Sequence, residues 1–340
     1  MPSLVRPASR FLATIAFVLS GASAVSATPP SPAPVPVILD TDIGDDIDDT
    51  WALVMLLKSP NLDVRLITTD YGNTVYRAKI VARFLELASR TDIPIGIGIQ
   101  ENEEEGGQAE WVRDYDLSRY PGAVHEDGVQ ALIDTVMTAD ETITLIAIGP
   151  PPSLAAALER EPRIAGRLRL AGMFGSLRRG YGGAPEPAAE WNVHVNVPAA
   201  RAVLAAPWAE AIATPLDTCG VVRLGGERYA RVRRSEDPLL RALVENYRIW
   251  CPQNEWCRQD AGHVTTRSTI LFDTVAVYLA EDRDLVETEH LGVRVSDEGM
   301  TLVDVNAPAL DWATEWRSVE EFEELLAERL TGSRGVPGVR

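Results

Sequence analysis

The segment Val37–Leu53, "VILDTDIGDDIDDTWAL", sets six aspartates within the ten residues Asp40 to Asp49, directly behind an apolar run. Carboxylates this close repel one another, and each is driven to hold a proton unless positive charge sits among them. Two of the acids, Asp48 and Asp49, have an ordinary explanation as acids at the start of the helix that begins near Thr50, where each is favourable by about 0.3–1 kcal/mol. Six do not. Several carboxylates completed by carbonyls and water form the all-oxygen shell that Ca²⁺ takes, and the spacing excludes the EF-hand version of it.

The surroundings of the cluster define the fold class. Short β-branched runs alternate with helical patterns: strands at 35–39, 64–69, 93–99, 143–148 and 168–174, and helices at 49–58, 76–89, 126–138 and 153–160. Further helices are expected at 238–250 and 319–330, and the Gly-Gly and charge-rich piece 100–127 reads as loop. This alternation predicts an α/β fold: one large domain with a mostly parallel, Rossmann-like central sheet flanked by helices on both faces. Ligands in such sheets bind beyond the carboxyl ends of the strands, where the aspartates lie.

The first residues read differently. Arg6 and Arg10 precede the apolar run 11–19, and small residues follow at Ala22–Ala24 and Val25–Ala27, the pattern of a secretory signal. The expected organisation is a signal at 1–27, a proline-rich leader at 28–36 and one domain at 37–332, with export to the periplasm or the extracellular space and no membrane association after cleavage. The formal charge is −18, and losing two arginines with the signal makes it more negative. Such a surface repels nucleic acid and anionic membranes but not a neutral small molecule. Of the three cysteines, either Cys251 and Cys257 close a short loop across "CPQNEWC" and leave Cys219 unpaired, or all three are reduced.

Read alone, Asp40-Thr-Asp42 after an apolar strand also resembles the nucleophile motif of haloacid dehalogenase-like phosphatases. That chemistry needs a later lysine, and only Lys58 and Lys79 exist, both on early helices. A more specific resemblance spans about residues 35–280. "DTDIGDDIDD", "ITTDYGNT" (67–74), "TLIAIGPPPSLAAAL" (144–158), "AEWNVHVNVPAA" (189–200) and "ILFDTVAVYLA" (270–280) together resemble the nucleoside hydrolases, the calcium-dependent N-ribohydrolases.

The resemblance implies hydrolysis of the N-glycosidic bond of a nucleoside or riboside, a Ca²⁺ ion and a homo-oligomer. It implies Asp42 as general base and calcium ligand, Asp49 and Asp273 as further ligands, and Ile148 as a ligand through its carbonyl. Asp48, Asn73, Glu190 and Asn192 are implied to hold the ribose hydroxyls. The acidic loop is two residues longer than is common in the family, so Asp45–Asp46 compete with Asp48–Asp49 for the paired roles. Local alternatives are a helix cap for Asp273, a turn for Gly72-Asn73, a surface acid for Glu190 and simple packing for Trp191. The base-recognising half departs from the family. Phe272 stands where many members carry a histidine that protonates the leaving base, and Ala184 replaces an asparagine. His263, or residues of the segment Tyr247–Trp256, are left as candidates for that task. Inosine, uridine or another riboside all fit, and a catalytically silent exported sugar-binding protein on the same scaffold is the alternative.

Overall fold

The computed structural model describes residues 1–3, 33–260 and 262–332. The chain divides into a unit Met1–Ala33 and one body from Pro34 onward. The expected signal, and the leader up to residue 32, fall outside the described residues. From Pro34 the ten strands are β1 (Val35–Thr41), β2 (Leu62–Thr69), β3 (Ile95–Ile97), β4 (Val124–His125), β5 (Ile143–Ala147), β6 (Leu168–Met173), β7 (Glu210–Thr214), β8 (Val286–Val295), β9 (Thr301–Val303) and β10 (Ala309–Trp316).

They form one sheet in the order β4-β3-β2-β1-β5-β6-β7-β10-β8-β9. Pairing is parallel from β4 through β10 and antiparallel only at β10–β8 and β8–β9. The inner strands are apolar throughout because both faces are covered. Val37 and Leu39 join a core on one face, with the helices Asp48–Leu57, Thr74–Leu87 and Pro238–Trp250. Ile38 points to the other core, with the helices Gly128–Thr138, Pro152–Arg160 and Val197–Leu204. Each fully buried Val, Ile or Leu of this kind contributes about 1.5–3 kcal/mol.

The strand order reverses at β1. From there the chain runs outward through β2, β3 and β4, then returns to place β5 on the other side. The carboxyl ends of β1 and β5 therefore frame the crevice that open α/β sheets use for ligands.

Two expectations need correction. The antiparallel extension β8–β10 is absent from the strands read off the sequence, because much of β8 is solvent-exposed and its apolar signal is diluted. The piece 100–127 is not loop throughout. It carries the short helix Ala109–Val112 and strand β4, and buries Trp111, Val112 and Tyr120. Among the described residues no helix is long and apolar enough to cross a membrane.

Candidate active site

β1 ends inside the protein with Asp40 and Thr41 fully buried, and Asp42 follows at the mouth of the crevice. Thr68 Oγ1 donates to Asp40 Oδ2 (2.5 Å), turning Asp40 toward β2 and its buried neighbour Asp70. Asp40 does not line the crevice. That removes the phosphatase reading, together with Lys58, whose Nζ is engaged by Asp237 (2.6 Å).

After Asp42 the chain bends through Gly44 at φ +107°. A side chain there would stand 2.7 Å from both Tyr76 Cε1 and Ile80 Cδ1, so only glycine lets the loop lie on the helix Thr74–Leu87. Donors from the scaffold then take the loop's carbonyls in turn. Arg77 Nη1 donates to the carbonyls of Asp42 and Ile43, Tyr76 Oη to that of Gly44 (3.1 Å) and Trp250 Nε1 to that of Asp45 (2.7 Å). Arg77 Nε also donates to Tyr71 O (2.7 Å). A buried polar group left unpaired costs about 1–3 kcal/mol, so these bonds hold the loop to one shape.

The loop enters the helix Asp48–Leu57, whose N-cap is Ile47 and makes no side-chain cap. Asp48 and Asp49 thus lie in the first turn with their carboxylates free of capping. Asp273 occupies the N-cap of the helix Thr274–Leu279, and its side chain makes no cap bond either. One carboxylate oxygen from each of Asp48, Asp49 and Asp273 lies within 4.8 Å of the others, and all three residues are buried. Asp45 is exposed and Asp46 half-buried, so the pair beside Asp273 is Asp48–Asp49.

Asp42, Asp48, Asp49, Ile148, Glu190, Asn192 and Asp273 line one cavity of about 380 Å³. Asn73 does not. It caps the helix Thr74–Leu87, its Oδ1 accepting from Tyr76 N (3.0 Å). Glu190 is a buried cap rather than a surface acid: Oε1 accepts from Asn192 N (2.7 Å) and Oε2 from Gly175 N (2.9 Å) and Val193 N (3.3 Å). Oε1 keeps a lone pair for a ligand, whereas both of those on Oε2 are engaged. Asn192 Nδ2 donates to Ile148 O (3.0 Å) and Met173 O (3.1 Å), leaving Oδ1 as its polar atom for the cavity. Gly149 makes room for Asp42, because a side chain there would lie 2.8 Å from Asp42 N and Oδ1.

The electrostatics follow from burial. Desolvation raises Asp42 to about 7, against the pull of Arg77, and Glu190 to about 7, against three backbone N–H bonds. Desolvation also raises Asp48, Asp49 and Asp273, and neighbouring carboxylates add to it: Asp46 and Asp42 at Asp48, Asp42 and Asp48 at Asp49, and Asp48 and Asp49 at Asp273. Thr41 Oγ1 donates to Asp49 and counters part of that rise. Oxygen donors, buried together and each made costly to ionise, fit a hard divalent cation. Among the described residues the cation acting on Asp42 and Asp49 is Arg77, and its guanidinium donates to backbone carbonyls.

The rest of the lining combines Asp45, Asp46, Met173 and Asn254 with five aromatic rings, Tyr181, Trp191, Trp250, Trp256 and Phe272. Trp191 is 48% exposed, so it is not the packing residue expected of it. Phe272 meets Tyr181 edge-on with centroids 5.9 Å apart. His263 is not in the lining; its Nδ1 pairs with Tyr247 Oη (2.8 Å) behind the ring of Trp256. Sequence reasoning missed Arg77, Thr41 and Tyr181. A signal for Arg77 existed: a cation in the first turn of a helix opposes the dipole and asks for another reason to be there.

Comparison with known proteins follows the same outline. Residues 37–324 match the family described as inosine-uridine preferring nucleoside hydrolase. The pyrimidine-specific ribonucleoside hydrolase RihA of Escherichia coli O1:K1 is 30% identical over 180 residues, 50% of this chain and 56% of that one. The chain thus spans about half the length of the first curated relatives it matches. Probable uridine nucleosidase 2 of Arabidopsis thaliana is 25% identical over 293 residues, 82% of this chain and 89% of that one. Among solved structures, a plant nucleoside hydrolase superposes with a TM-score of 0.72 at 26% identity, covering 88% of this chain and 99% of that one.

Proposed function

Because this chain belongs to the inosine-uridine preferring nucleoside hydrolase family, we propose that it cleaves the N-glycosidic bond of ribonucleosides, nucleoside and water giving free base and ribose. The observation that carries this reading is the shared cavity in which the buried group Asp48, Asp49 and Asp273 adjoins Asp42, Glu190 and Asn192.

Asp48, Asp49 and Asp273, with the carbonyl of Ile148, are the residues to hold the cation. Calcium suits their oxygen donors and, when bound, supplies positive charge among the aspartates and lowers the pKa of a water there. Asp42, raised by burial to about 7, is suited to accept a proton from the attacking water near neutral pH. Glu190 and Asn192 Oδ1 accept from ribose hydroxyls and so orient the ring, and Asp48 serves the same purpose where it is not shared with the cation. As the bond to the base breaks, positive charge develops on the ribose, as in other glycosyl hydrolyses. The surrounding carboxylates stabilise that charge.

Export of the protein belongs to the same proposal. The signal-like N-terminus supports it, and so does the Cys251–Cys257 bridge, a feature of oxidising compartments. A homo-oligomeric state is proposed on family resemblance alone.

The test is reducing-sugar release from purine and pyrimidine nucleosides, with calcium and with chelator. Release that requires calcium is expected. One observation favours the silent sugar-binding alternative: among the described residues the cavity lining holds no histidine, and Phe272 cannot donate a proton. Ribose bound with no nucleoside cleaved would establish that alternative.

A further inference from the structure

The hydrolytic groups leave one part of the cavity without a task. The segment Cys251–Cys257 follows the helix Pro238–Trp250 and is closed on itself by a disulfide between buried sulfurs, with Cα atoms 5.3 Å apart. Between the two cysteines it presents Asn254 and Trp256 to the cavity. Trp256 is 51% exposed although it is among the largest apolar side chains in the protein. One exposed ring is ordinary, but Trp256 shares the cavity lining with the half-exposed Tyr181 and Trp191, and aromatic faces grouped in one cavity suit a ligand with a flat apolar face.

The segment is also held in place. Trp256 meets the ring of Trp250 edge-on at 5.6 Å and that of His263 at 5.5 Å, and the Tyr247–His263 pair backs it. Gln253 Nε2 donates to Gly107 O (2.9 Å), and Asn254 Nδ2 to Trp250 O (3.2 Å). Trp250 in turn is tied through its Nε1 to the acidic loop at Asp45 O. The aromatic edge of the cavity and its acidic loop are thus joined through one indole.

We propose that the disulfide-closed segment Cys251–Cys257 is the wall that recognises the leaving base. Trp256 stacks on the planar heterocycle, Asn254 meets its polar edge with an amide that can donate or accept, and the bridge keeps both residues in place before substrate arrives. This inference rests on the nucleoside reading and narrows it. Every nucleobase has a π face, so an indole platform accepts purines and pyrimidines alike and rejects ribosides whose aglycone is not a flat ring. Holding the platform rigid lowers the ordering cost of binding. Trp256 and Asn254 are specificity residues; Cys251 and Cys257 are positioning residues.

The test uses the full chain with calcium, in an Asp42→Asn background so that ligand survives. Calorimetry measures binding of inosine, uridine, methyl riboside and ribose. Trp256→Ala should weaken inosine and uridine by about tenfold or more, the size of a lost base–indole stack. Ribose and methyl riboside should hold to within about twofold, a difference of about 0.4 kcal/mol. Trp256→Phe should recover most of the loss. The Cys251→Ser/Cys257→Ser pair, and protein whose bridge has taken two electrons and two protons from dithiothreitol as that reagent closes to its own disulfide, should fall between. An unchanged ratio of nucleoside to ribose affinity in Trp256→Ala, which leaves the bridge intact and alters an exposed side chain, would overturn the proposal. Discriminating binding without any cleavage by the unmutated protein would uphold the wall and contradict the hydrolase reading instead.

Discussion

The acidic and aromatic parts of the cavity are built in different ways. Asp42, Asp48, Asp49 and Asp273 are at most 5% exposed and sit at a strand end and at helix starts. Their loop is held by Arg77, Tyr76 and Trp250, each bonded to a backbone carbonyl. Tyr181, Trp191 and Trp256 are 45%, 48% and 51% exposed and sit in short helical turns or the loops beside them. A cation and a proton acceptor need positions fixed to a fraction of an ångström, which buried backbone anchors supply. A heterocycle needs a broad face it can reach. The difference teaches where substitutions should act: at the acids on turnover, at the rings on choice of substrate.

The sharpest way to break that division is to remove one of the acids proposed to hold the cation. Asp273→Asn keeps the shape of the side chain but takes one charge from the trio, and turnover should fall by about 10³-fold or more, with calcium affinity falling alongside. If Asp273→Asn retained calcium affinity and rate, the trio would not be the cation site. Gly149→Ala comes next. Its new methyl would meet Asp42 N and Oδ1 at 2.8 Å, and the shift of the proposed proton acceptor needed to relieve that contact should cost about 10²-fold in kcat with calcium binding retained. Steady-state kinetics beside calcium titration separates the two cases.

The pH dependence of the calcium-free protein probes the acidic part without substrate. Burial raises Asp42 to about 7 and lifts Asp48, Asp49 and Asp273 above the usual carboxylate range. Across the interval from the ordinary carboxylate value to about 7, the folded chain therefore binds more protons than the unfolded one. Stability from these groups is full at low pH and is lost as pH rises through their folded values. In chelator, Tm should be lower at about pH 8 than at about pH 5.5, and calcium should narrow the gap. A Tm that rises with pH in chelator would contradict the buried, cation-free picture. The smallest effect is expected at the boundary between the two parts. Phe272→His places a proton donor beside Tyr181 and should raise kcat several-fold on nucleosides with poor leaving groups, below the roughly 10²–10⁴-fold of a fully positioned general acid. An equal rise on all substrates would place its action elsewhere.

Much of the acidic part was legible in the sequence, because it is local. An apolar strand, a run of aspartates and an apolar helix follow one another within 17 residues, and the sheet class follows from the same alternation. The alternatives at each position separated only in three dimensions. Asp273 looks like a helix cap and makes no cap bond, whereas Asn73, read as a sugar ligand, caps a helix through Oδ1 and lies outside the cavity lining. The anchoring of the acidic loop was not legible, since Arg77 reaches back 35 residues and Trp250 reaches back 205. Nor was the outer edge of the sheet, where β8 mixes exposed and buried positions and shows no continuous apolar run.

The most direct measurement is the turnover of Asp42→Asn on the best-cleaved nucleoside at saturating calcium, with calcium affinity and Tm measured on the same sample. The predicted result is a fall in kcat of about 10³-fold, the loss of a positioned general base, with calcium affinity and Tm close to those of the unmutated protein. A kcat within about tenfold of the unmutated protein, with calcium still bound, would contradict the account, because proton transfer to Asp42 would then not be part of the reaction.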